Sequence, residues 1–442
     1  MKISVPKYIK EIIPGSPFKA ALLCFCCTML TGMSIIYIIS PITGLSRHFG
    51  KSHDGYIQLA ENIAEGHGYV FKKNGPPVFH RPPFYPLLLV PVTYLPETVQ
   101  RPAIIILHSI MTGLTGLLMF ITAKKIFTKS AAGISVIIFL VYPWLYWHAK
   151  NPMTPILQGL LYMLLTVLVG NEFISEKASG NVWIKAIATG AAMAALSLTH
   201  GTMLAVCISI LLVLLLSGAS FRNPRQIKFS LLVFIAMLLF ISPWTYRNYK
   251  VFNKFMPVTG GAGLAYFNGN THFSCTSEKP RQQGEYFLDA SLRAAGIQGR
   301  AETHTHWMGP KNMQLEEKLN QKMKEDITKH PFNFIQKIAL NAVEYYFPFL
   351  VYPFLAVKTF SCQELTITVF HLLLWALALK GLWNDYSIRK YRQHTLLLFF
   401  ALIIYAAWYF PFATFIGHSL YSFGTIPLLA VLAGVGLAPK SN

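Results

Sequence analysis

The chain has 442 residues, of which 53% are apolar and only 13% are charged. This composition excludes a soluble globular protein and is typical of a chain that crosses the membrane several times. The net charge of +20 could indicate nucleic-acid binding, but the lysines and arginines gather in short segments between apolar runs. Because that pattern follows the positive-inside rule, anionic membrane lipid and a phosphate-bearing substrate are the expected partners, and nucleic acid is not.

Apolar runs along the chain predict an all-α protein with about 10–12 spans. Four lysines lie before or at the start of the first run, which places the N-terminus in the cytoplasm. No cleavage site follows, so this run is expected to remain as a span. The run Phe84–Leu95 is too short to cross and is predicted to be re-entrant or interfacial. The spans are predicted at about residues 18–40, 102–123, 131–148, 154–171, 182–199, 201–218, 229–246, 364–383, 395–412 and 422–438.

These spans divide the chain into three parts. Residues 1–246 form an N-terminal membrane module with a first external loop at 41–83, residues 247–331 form a large external loop, and residues 332–442 carry the C-terminal spans. The segment 333–357 is amphipathic and then aromatic. It can be an interfacial element or an additional pair of spans.

The cysteines and histidines do not predict a metal site. Four of the six cysteines lie inside apolar runs, where cysteine behaves as a small hydrophobic residue. Cys275 and Cys362 both fall in external regions, so one disulfide between them is an alternative to two free thiols. His53, His67 and His80 have no zinc-like spacing, so neither a metal nor a cofactor is expected.

The stretch 52–86 is the one polar, motif-rich segment among the apolar runs. On a helical wheel, Asp54, Gln58, Glu61 and Glu65 share one face, and apolar residues line the other. The pattern predicts an amphipathic helix at the membrane surface. Asp54 can be a catalytic carboxylate or the N-cap of this helix, and the two glutamates can contact substrate or belong to a solvated face.

The other unusual polar residues collect on the same external side under this topology. They come from the aromatic turn after the third span, the turn between the fifth and sixth spans, the end of the seventh span and the last loop. Together with the first loop, these segments provide the candidates for substrate contact, which are His53, Glu61, Lys150, His200, Asn248, Asn270, His418 and Tyr421.

Two stretches carry a resemblance to a known family. DGYIQLAENIAEGHGYVF followed by HRPPFYPLLL resembles the first external loop of bacterial GT-C glycosyltransferases, in the branch of the protein O-mannosyltransferases and lipid A aminoarabinose transferase. SPWTYRNYKVFNKFMPVTGGAGLAYFNGN is similar to the same family's segment at the end of the seventh span, and HSLYSFGTIPLLAVLAG faintly resembles its last loop and span. The resemblance implies the GT-C fold.

The resemblance also implies an inverting transfer of a sugar from a polyprenyl-phosphate donor at the external face, with Asp54 at the position of the family's catalytic base. The leaving lipid phosphate needs hydrogen-bond donors and cations. Arg81 and Arg247 are the best candidates, with His80 and Tyr85 beside them, because the planar fork of arginine grips phosphate oxygens. The alternative for each arginine is a snorkelling or topology-anchoring role.

The sequence departs from the family pattern at three positions. Pro155 stands near the place of an acid, His200 stands where an arginine is common, and Leu420 replaces the arginine before Tyr421. These departures leave recognition of sugar and acceptor open. His200, Lys150, His148 and His418 are candidates for taking over phosphate or sugar contacts.

The expected function is therefore glycosyl transfer in the bacterial inner membrane, with the site facing the periplasm. The acceptor can be a lipid-linked glycan, O-antigen, lipid A or protein. Two alternatives remain open, a transporter or flippase of lipid-linked sugars and an inactive GT-C homologue that assists assembly. A transporter predicts charged residues buried within spans, whereas the acids of this chain gather at one face.

Overall fold

A computed structural model of the chain describes residues 13–39, 55–174, 181–220, 222–298, 310–358, 362–386, 392–408 and 422–438. In these ranges the fold is a bundle of α-helices, with isolated bridges at Val70–Pro77 and Phe273–Leu355 in place of strands. The N-terminal helices are α1 Pro17–Ser34, α2 Tyr56–Ala64, α3 Phe84–Thr93, α4 Glu97–Ile126, α5 Lys129–Val141, α6 Pro143–Lys150, α7 Pro155–Ile174, α8 Val182–Ser197, α9 Thr202–Ser220 and α10 Pro224–Phe252. The remaining helices are α11 Ala262–His272, α12 Phe287–Ala294, α13 Pro310–Lys329, α14 Pro331–Tyr346, α15 Cys362–Tyr386, α16 Arg392–Ala407 and α17 Ile426–Leu437.

The apolar helices confirm a multi-pass membrane protein. Within the described ranges, five helices are long and apolar enough to cross a bilayer, and the bent pair α5 and α6 makes a sixth if it counts as one span. Shorter apolar helices of 10–17 residues fill the other predicted span positions. Every predicted span thus coincides with a helix, although several are shorter than a full crossing.

The helix boundaries follow from local sequence signals. Ser16 caps α1 by accepting a hydrogen bond from the Lys19 N–H at 3.2 Å, and proline stands at the first position of the helix. Thr128 caps α5 and Asn223 caps α10 in the same way. These caps satisfy N–H groups that have no partner within the helix.

Small residues let the central helices approach closely. A Cβ atom added to Gly381 on α15 would lie 2.2 Å from the Leu432 carbonyl oxygen of α17, and one added to Gly436 would lie 2.2 Å from the Leu377 carbonyl oxygen. The two backbones therefore touch at both glycines, which is a common way of packing helices in a membrane.

Two predicted spans differ from the structure. The third span is not straight, because α5 and α6 meet at a bend of 61°. Pro143 follows Tyr142 directly, and a residue before proline is driven into extended conformation, here with ψ of 112°. The seventh span does not end at 246, because α10 continues through Phe252 and carries Arg247 and Asn248 on its last turns.

The segment after α10 was predicted to be external and is called the external unit below; it is built around the buried polar helix α11. Glu316 of α13 accepts hydrogen bonds from the N–H groups of Gly263 (2.7 Å) and Leu264 (3.2 Å) at the start of α11. Tyr266 donates to the Asp326 carboxylate at 2.6 Å. The segment is therefore a packed unit in which carboxylates of α13 satisfy donors of α11.

Helix α14 continues this unit with its polar side inward. Lys337 is fully buried and donates to the Tyr266 carbonyl at 2.9 Å, and Glu344 contacts His272 of α11 at 2.9 Å. A 3₁₀ helix, Pro348–Phe354, follows. The ambiguous segment 333–357 thus forms one helix and one 3₁₀ helix rather than two spans.

The proposed disulfide is not formed. Cys275 and Cys362 are both free and exposed, whereas Cys24 and Cys207 are buried among apolar side chains.

Candidate active site

The first external loop and the end of α10 meet, as their polar content suggested. The guanidinium Nη1 of Arg247 donates to the Val78 carbonyl oxygen at 2.9 Å. The N–H of Gly260, in the loop after α10, donates to the Phe79 carbonyl oxygen at 3.2 Å. Val78 and Phe79 are fully buried between the two segments. The residues that carried the family resemblance in two separate stretches are therefore neighbours in the fold.

Tyr69 holds the HRPP segment in place. Its hydroxyl donates to the carbonyl oxygens of Arg81 (3.1 Å) and Pro82 (2.9 Å). Its ring packs edge-on against Trp244 of α10, with ring centroids 4.8 Å apart. The Trp244 indole N–H in turn donates to the Val258 carbonyl at 2.7 Å. Tyr69 belongs to the stretch that carries the family resemblance, but the sequence indicates no role for it.

Arg247 lies in an aromatic cage with a fixed orientation. Its guanidinium carbon is 4.8 Å from the Trp244 ring, 5.3 Å from the Phe252 ring and 5.5 Å from the Tyr69 ring. Nη1 donates to Val78 and to the Asn248 side-chain oxygen. Within the described chain, Nε and Nη2 make no hydrogen bond, so these donors can serve an anion.

Asn248 has a structural task. Its side chain is fully buried, and its amide nitrogen donates to the carbonyl oxygens of Met256 (3.1 Å) and Val258 (3.0 Å). Both amide hydrogens therefore hold the turn after α10. The predicted contact with substrate would have to compete with these two bonds.

Arg81 belongs to the opposite wall of the site. Its guanidinium carbon lies 5.4 Å from the Tyr56 ring of α2, and Tyr56 packs perpendicular to Tyr85 at 5.2 Å. The Arg81 backbone is fixed by Tyr69 at the same time. The structure thus brings Arg81 and Arg247 to one junction, with Tyr69 between them.

His80 contributes no positive charge to this junction. Its imidazole lies between the rings of Phe71 and Phe79, with centroids at 6.0 and 5.8 Å. Burial, and secondarily the charge of Arg81, lowers the pKa of His80 to about 3. A neutral imidazole can meet a phosphate only as an N–H donor, and Nδ1 makes no hydrogen bond within the described chain.

Tyr85 is turned inward rather than toward a ligand. It is fully buried, and its hydroxyl lies 2.8 Å from Nε2 of His108 on α4. Nδ1 of His108 donates to the Ala149 carbonyl oxygen at 2.9 Å. The hydroxyl that was predicted to bind phosphate is therefore occupied in the interior, and His108 is a polar contact that sequence analysis missed.

Helix α2 begins at Tyr56, and Gly55 is its N-cap. Gly55 has a φ of +72°, and a Cβ there would lie 2.0 Å from the Phe71 ring, so only glycine fits. The alternative that Asp54 is the N-cap is therefore wrong by one residue. Asp54 and His53 themselves lie outside the described residues, so the catalytic role of Asp54 stays a prediction.

The carboxylates on α2 differ in environment. Glu61 is half-buried, while Glu65, at the end of the helix, is exposed and pairs with His67 at 3.1 Å. The amphipathic pattern is confirmed, because Tyr56, Leu59 and Ala60 are buried on the other side.

The remaining candidates lie on other elements of the fold. Lys150, at the end of α6, is buried, and its ammonium lies 4.0 Å from the Trp147 ring centroid. His200 lies in the turn between α8 and α9, where the Leu198 carbonyl accepts from the Phe84 N–H at 2.9 Å. Asn270 is buried in α11 and donates to Asp326 at 3.3 Å, within the external unit. His418 and Tyr421 lie outside the described residues.

Comparisons with known proteins agree with this architecture. A sequence profile of the dolichyl-phosphate-mannose-protein mannosyltransferase family matches residues 80–246. No curated protein sequence matches the chain. The matched segment begins at His80 and ends beside Arg247, so it covers the helices between the two halves of the junction.

Solved structures show the same fold. ArnT from Cupriavidus metallidurans, solved bound to undecaprenyl phosphate, has a TM-score of 0.55 and 15% sequence identity, covering 95% of this chain and 60% of that chain. The Archaeoglobus fulgidus oligosaccharyltransferase, solved with zinc and sulfate, has a TM-score of 0.51 and 13% identity, covering 94% and 48%. AglB from Archaeoglobus fulgidus, solved with an inhibitory peptide and a dolichol-phosphate, has a TM-score of 0.51 and 14% identity, covering 94% and 50%.

The chain spans between about half and 60% of the length of these structures. At this level of identity the likeness concerns the fold. The chain therefore has the GT-C fold of these structures, and residues 80–246 match the mannosyltransferase profile.

Proposed function

We propose that the chain is a membrane glycosyltransferase that moves one sugar from a polyprenyl-phosphate-linked donor to an acceptor at the external face of the bacterial inner membrane. The observation that carries the proposal is the junction itself, where Arg247 donates to Val78 and Tyr69 holds Arg81. Two arginines at a membrane boundary suit a lipid phosphate, because a guanidinium can bind phosphate oxygens in a bidentate way. The neighbours ArnT and AglB were solved with polyprenyl phosphates, which supports the same class of donor here.

The proposed reaction needs one base and one set of cations. Asp54 takes the proton of the acceptor hydroxyl as that oxygen forms a bond to the anomeric carbon of the sugar. The bond between the anomeric carbon and the phosphate oxygen breaks, and the phosphate leaves with the electron pair. Arg81 and Arg247 stabilise the charge that develops on it. Attack opposite the leaving group inverts the anomeric carbon.

The nature of the acceptor follows from its access to the junction. The acceptor must reach Asp54, which a lipid-linked glycan, O-antigen or lipid A, being held in the membrane, does more readily than a soluble protein. The external unit built on α11, α13 and α14 adjoins the junction through the loop before α11. We therefore assign acceptor selection to this unit.

The test uses the purified full chain in nanodiscs with a panel of undecaprenyl-phosphate-linked radiolabelled hexoses and pentoses. Glycolipid and protein fractions of bacterial membranes serve as acceptors, and label transfer and release of undecaprenyl phosphate are measured together. Asp54→Asn should lower transfer by about 10²–10⁴-fold, the range for loss of a general base. The matched control is Glu65→Gln, because Glu65 is an exposed carboxylate of the same segment.

The outcomes separate the alternatives. Undiminished transfer by Asp54→Asn would rule out the base. Transbilayer movement of the donor without transfer would favour a flippase, and donor binding without either activity would favour an inactive assembly partner.

A further inference from the structure

The short helix α6 is clamped at both ends by the same arrangement of side chains. At its end, the Tyr85 hydroxyl bonds to Nε2 of His108, whose Nδ1 donates to the Ala149 carbonyl. At its start, the hydroxyl of the N-cap residue Tyr142 lies 3.1 Å from Nε2 of His371, whose Nδ1 donates to the Tyr346 carbonyl. In each case tyrosine and histidine rings stack nearly in parallel.

Each of these two arrangements of tyrosine, histidine and backbone carbonyl is called a relay below. The positions of their protons follow from chemistry. A carbonyl oxygen only accepts, so Nδ1 of each histidine must carry a proton. In a neutral imidazole Nε2 is then an acceptor, and each tyrosine must donate to it. The tyrosines and histidines are fully buried, so removing one partner leaves the other unsatisfied in an apolar bundle.

These contacts add to the packing of α6, whose Leu145 and Ala149 are buried in the helix bundle. The helix has only eight residues, and it is separated from α5 by the bend of 61°. A helix this short has little stability of its own. The relays attach it to α4 on one side and to α15 on the other.

The residue presented at the end of this helix is Lys150. Its exposure is 9%, and its ammonium lies 4.0 Å from the Trp147 ring. The aromatic face and the negative end of the helix dipole both favour a cation there. A cation held with so little water binds an anion strongly.

Contacts run without interruption from Lys150 to the arginine junction. Ala149 precedes Lys150 and accepts from His108, His108 accepts from Tyr85, and the Tyr85 ring packs against Tyr56. The Arg81 guanidinium carbon lies 5.4 Å from the centre of the same Tyr56 ring. Lys150 and Arg81 are therefore positioned by one continuous set of aromatic and imidazole contacts.

We propose that Lys150 is a third cation for the phosphate of the lipid-linked donor, and that Tyr85 and His108 are positioning residues that hold it there. This inference rests on the proposed function for the identity of the donor. In this proposal Tyr85 does not contact the phosphate but acts on it through His108 and Lys150. It also explains how the site can bind a phosphate although two arginines that are common in the family are absent. Lys150, held by α6, supplies a positive charge in their place.

The test measures binding separately from transfer. The full chain is placed in nanodiscs of phosphatidylcholine, and undecaprenyl phosphate is titrated while tryptophan fluorescence and native mass spectrometry report binding. Lys150→Ala should weaken binding by about tenfold, the effect of losing one charge-assisted contact. Tyr85→Phe and His108→Phe should each weaken it by about three- to tenfold.

Double variants distinguish positioning from general damage. If Tyr85 and His108 act through Lys150, adding His108→Phe to Lys150→Ala causes no further loss of binding. Additive losses would overturn the positioning role. The matched control is Thr112→Val, because Thr112 is buried one turn along α4 and bonds to the His108 backbone rather than to its ring. This variant should bind like the wild type.

Three further outcomes show which part of the proposal fails. Unchanged binding by Lys150→Ala would refute the third cation, whatever the chain catalyses. Displacement of undecaprenyl phosphate by an equal amount of phosphatidylglycerol would show a site for bulk lipid headgroups and overturn the donor assignment. Wild-type binding without sugar transfer on any donor would contradict the proposed function, while the Lys150 effect on binding would still support the site.

Discussion

Tyr69 and Arg247 come from opposite halves of the site and are in contact, with the guanidinium carbon 5.5 Å from the centre of the tyrosine ring. The hydroxyl of the same tyrosine bonds to the backbone of Arg81 and Pro82. One side chain thus sets the distance between the two arginines to which we assign the donor phosphate.

Replacing Tyr69 by Phe should separate the role of the ring, which contacts Arg247, from the role of the hydroxyl, which bonds to the backbone of Arg81 and Pro82. The ring contacts with Trp244 and Arg247 remain, but two buried carbonyl oxygens lose their donor, at a cost of about 1–3 kcal/mol. We expect a lower melting temperature and a several-fold rise in the KM for the polyprenyl donor. Tyr94→Phe, at an exposed tyrosine, is the control. An unchanged KM would show that the Arg81 backbone is held without Tyr69.

Arginine at position 247 should not be replaceable by lysine. Arg247→Lys retains the charge but loses the fork that bonds to Val78 and Asn248 while facing outward. Donor binding should weaken by about tenfold or more, since a charge-assisted bond contributes on the order of 1.5–3 kcal/mol. The measurement is the undecaprenyl phosphate titration, with Lys250→Ala as the control at an exposed cation of the same helix. Full binding by Arg247→Lys would refute the bidentate role.

Glu316 predicts a pH dependence of stability in the external unit. Burial raises its pKa to about 7, against the opposing effect of the Gly263 and Leu264 N–H groups. Between its ordinary pKa of 4.5 and about 7 the folded chain retains a proton that the unfolded chain has released. Stability should therefore fall as pH rises through this window.

Glu316→Gln keeps the uncharged form and should remove that dependence. Between pH 4.5 and 8 the melting temperature of the variant should change less than that of the wild type. The wild type should lose on the order of 1–3 kcal/mol more free energy of unfolding than the variant over this range. Glu317→Gln is the matched control, because Glu317 is an exposed neighbour paired with Lys254. Parallel pH curves for wild type and Glu316→Gln would contradict the burial of an uncharged Glu316.

Helix α14 should face lipid. Its outer side exposes Phe332 (82%) and Ile335 (60%), whereas Lys337 (0%) and Glu344 (3%) point into the protein. An apolar stripe of this kind is unfavourable in water and suited to a bilayer. The relaxation of a spin label at Ile335→Cys should be enhanced more by oxygen than by a water-soluble nickel complex, as measured by power saturation. A label at Lys322→Cys, on the exposed side of α13, should show the reverse. Equal access of the nickel complex to both would place α14 in water.

Much of the architecture was predictable because long apolar runs in the sequence indicate membrane helices. The sequence also singled out the two segments that meet at the junction, since Arg81 and Arg247 stand beside proline- and tryptophan-rich boundaries. The end of α10 was not predictable from the sequence. The segment from Trp244 to Phe252 is polar enough to resemble a loop, but it continues as a helix. Hydropathy detects where a helix leaves the membrane, not where it ends.

The interior contacts could not be predicted from one sequence. His108 lies in the middle of an apolar run, and its pairing with Tyr85 and Ala149 depends on how three helices pack. The bend at Pro143 was visible as a proline, but its consequence for Lys150 was not. Nothing in the sequence indicates that Glu316 caps α11, because the two helices are about fifty residues apart in the chain.

The inverted side chains of α14 affect what can be done with the external unit. If residues 247–346 were produced without the rest of the chain, Phe332 and Ile335 would be presented to water while the charges of the same helix stayed inside. Such a fragment should aggregate rather than fold as a soluble domain. The unit that we assign to acceptor selection is therefore not an exchangeable module, and changes in acceptor preference have to arise by substitution within it.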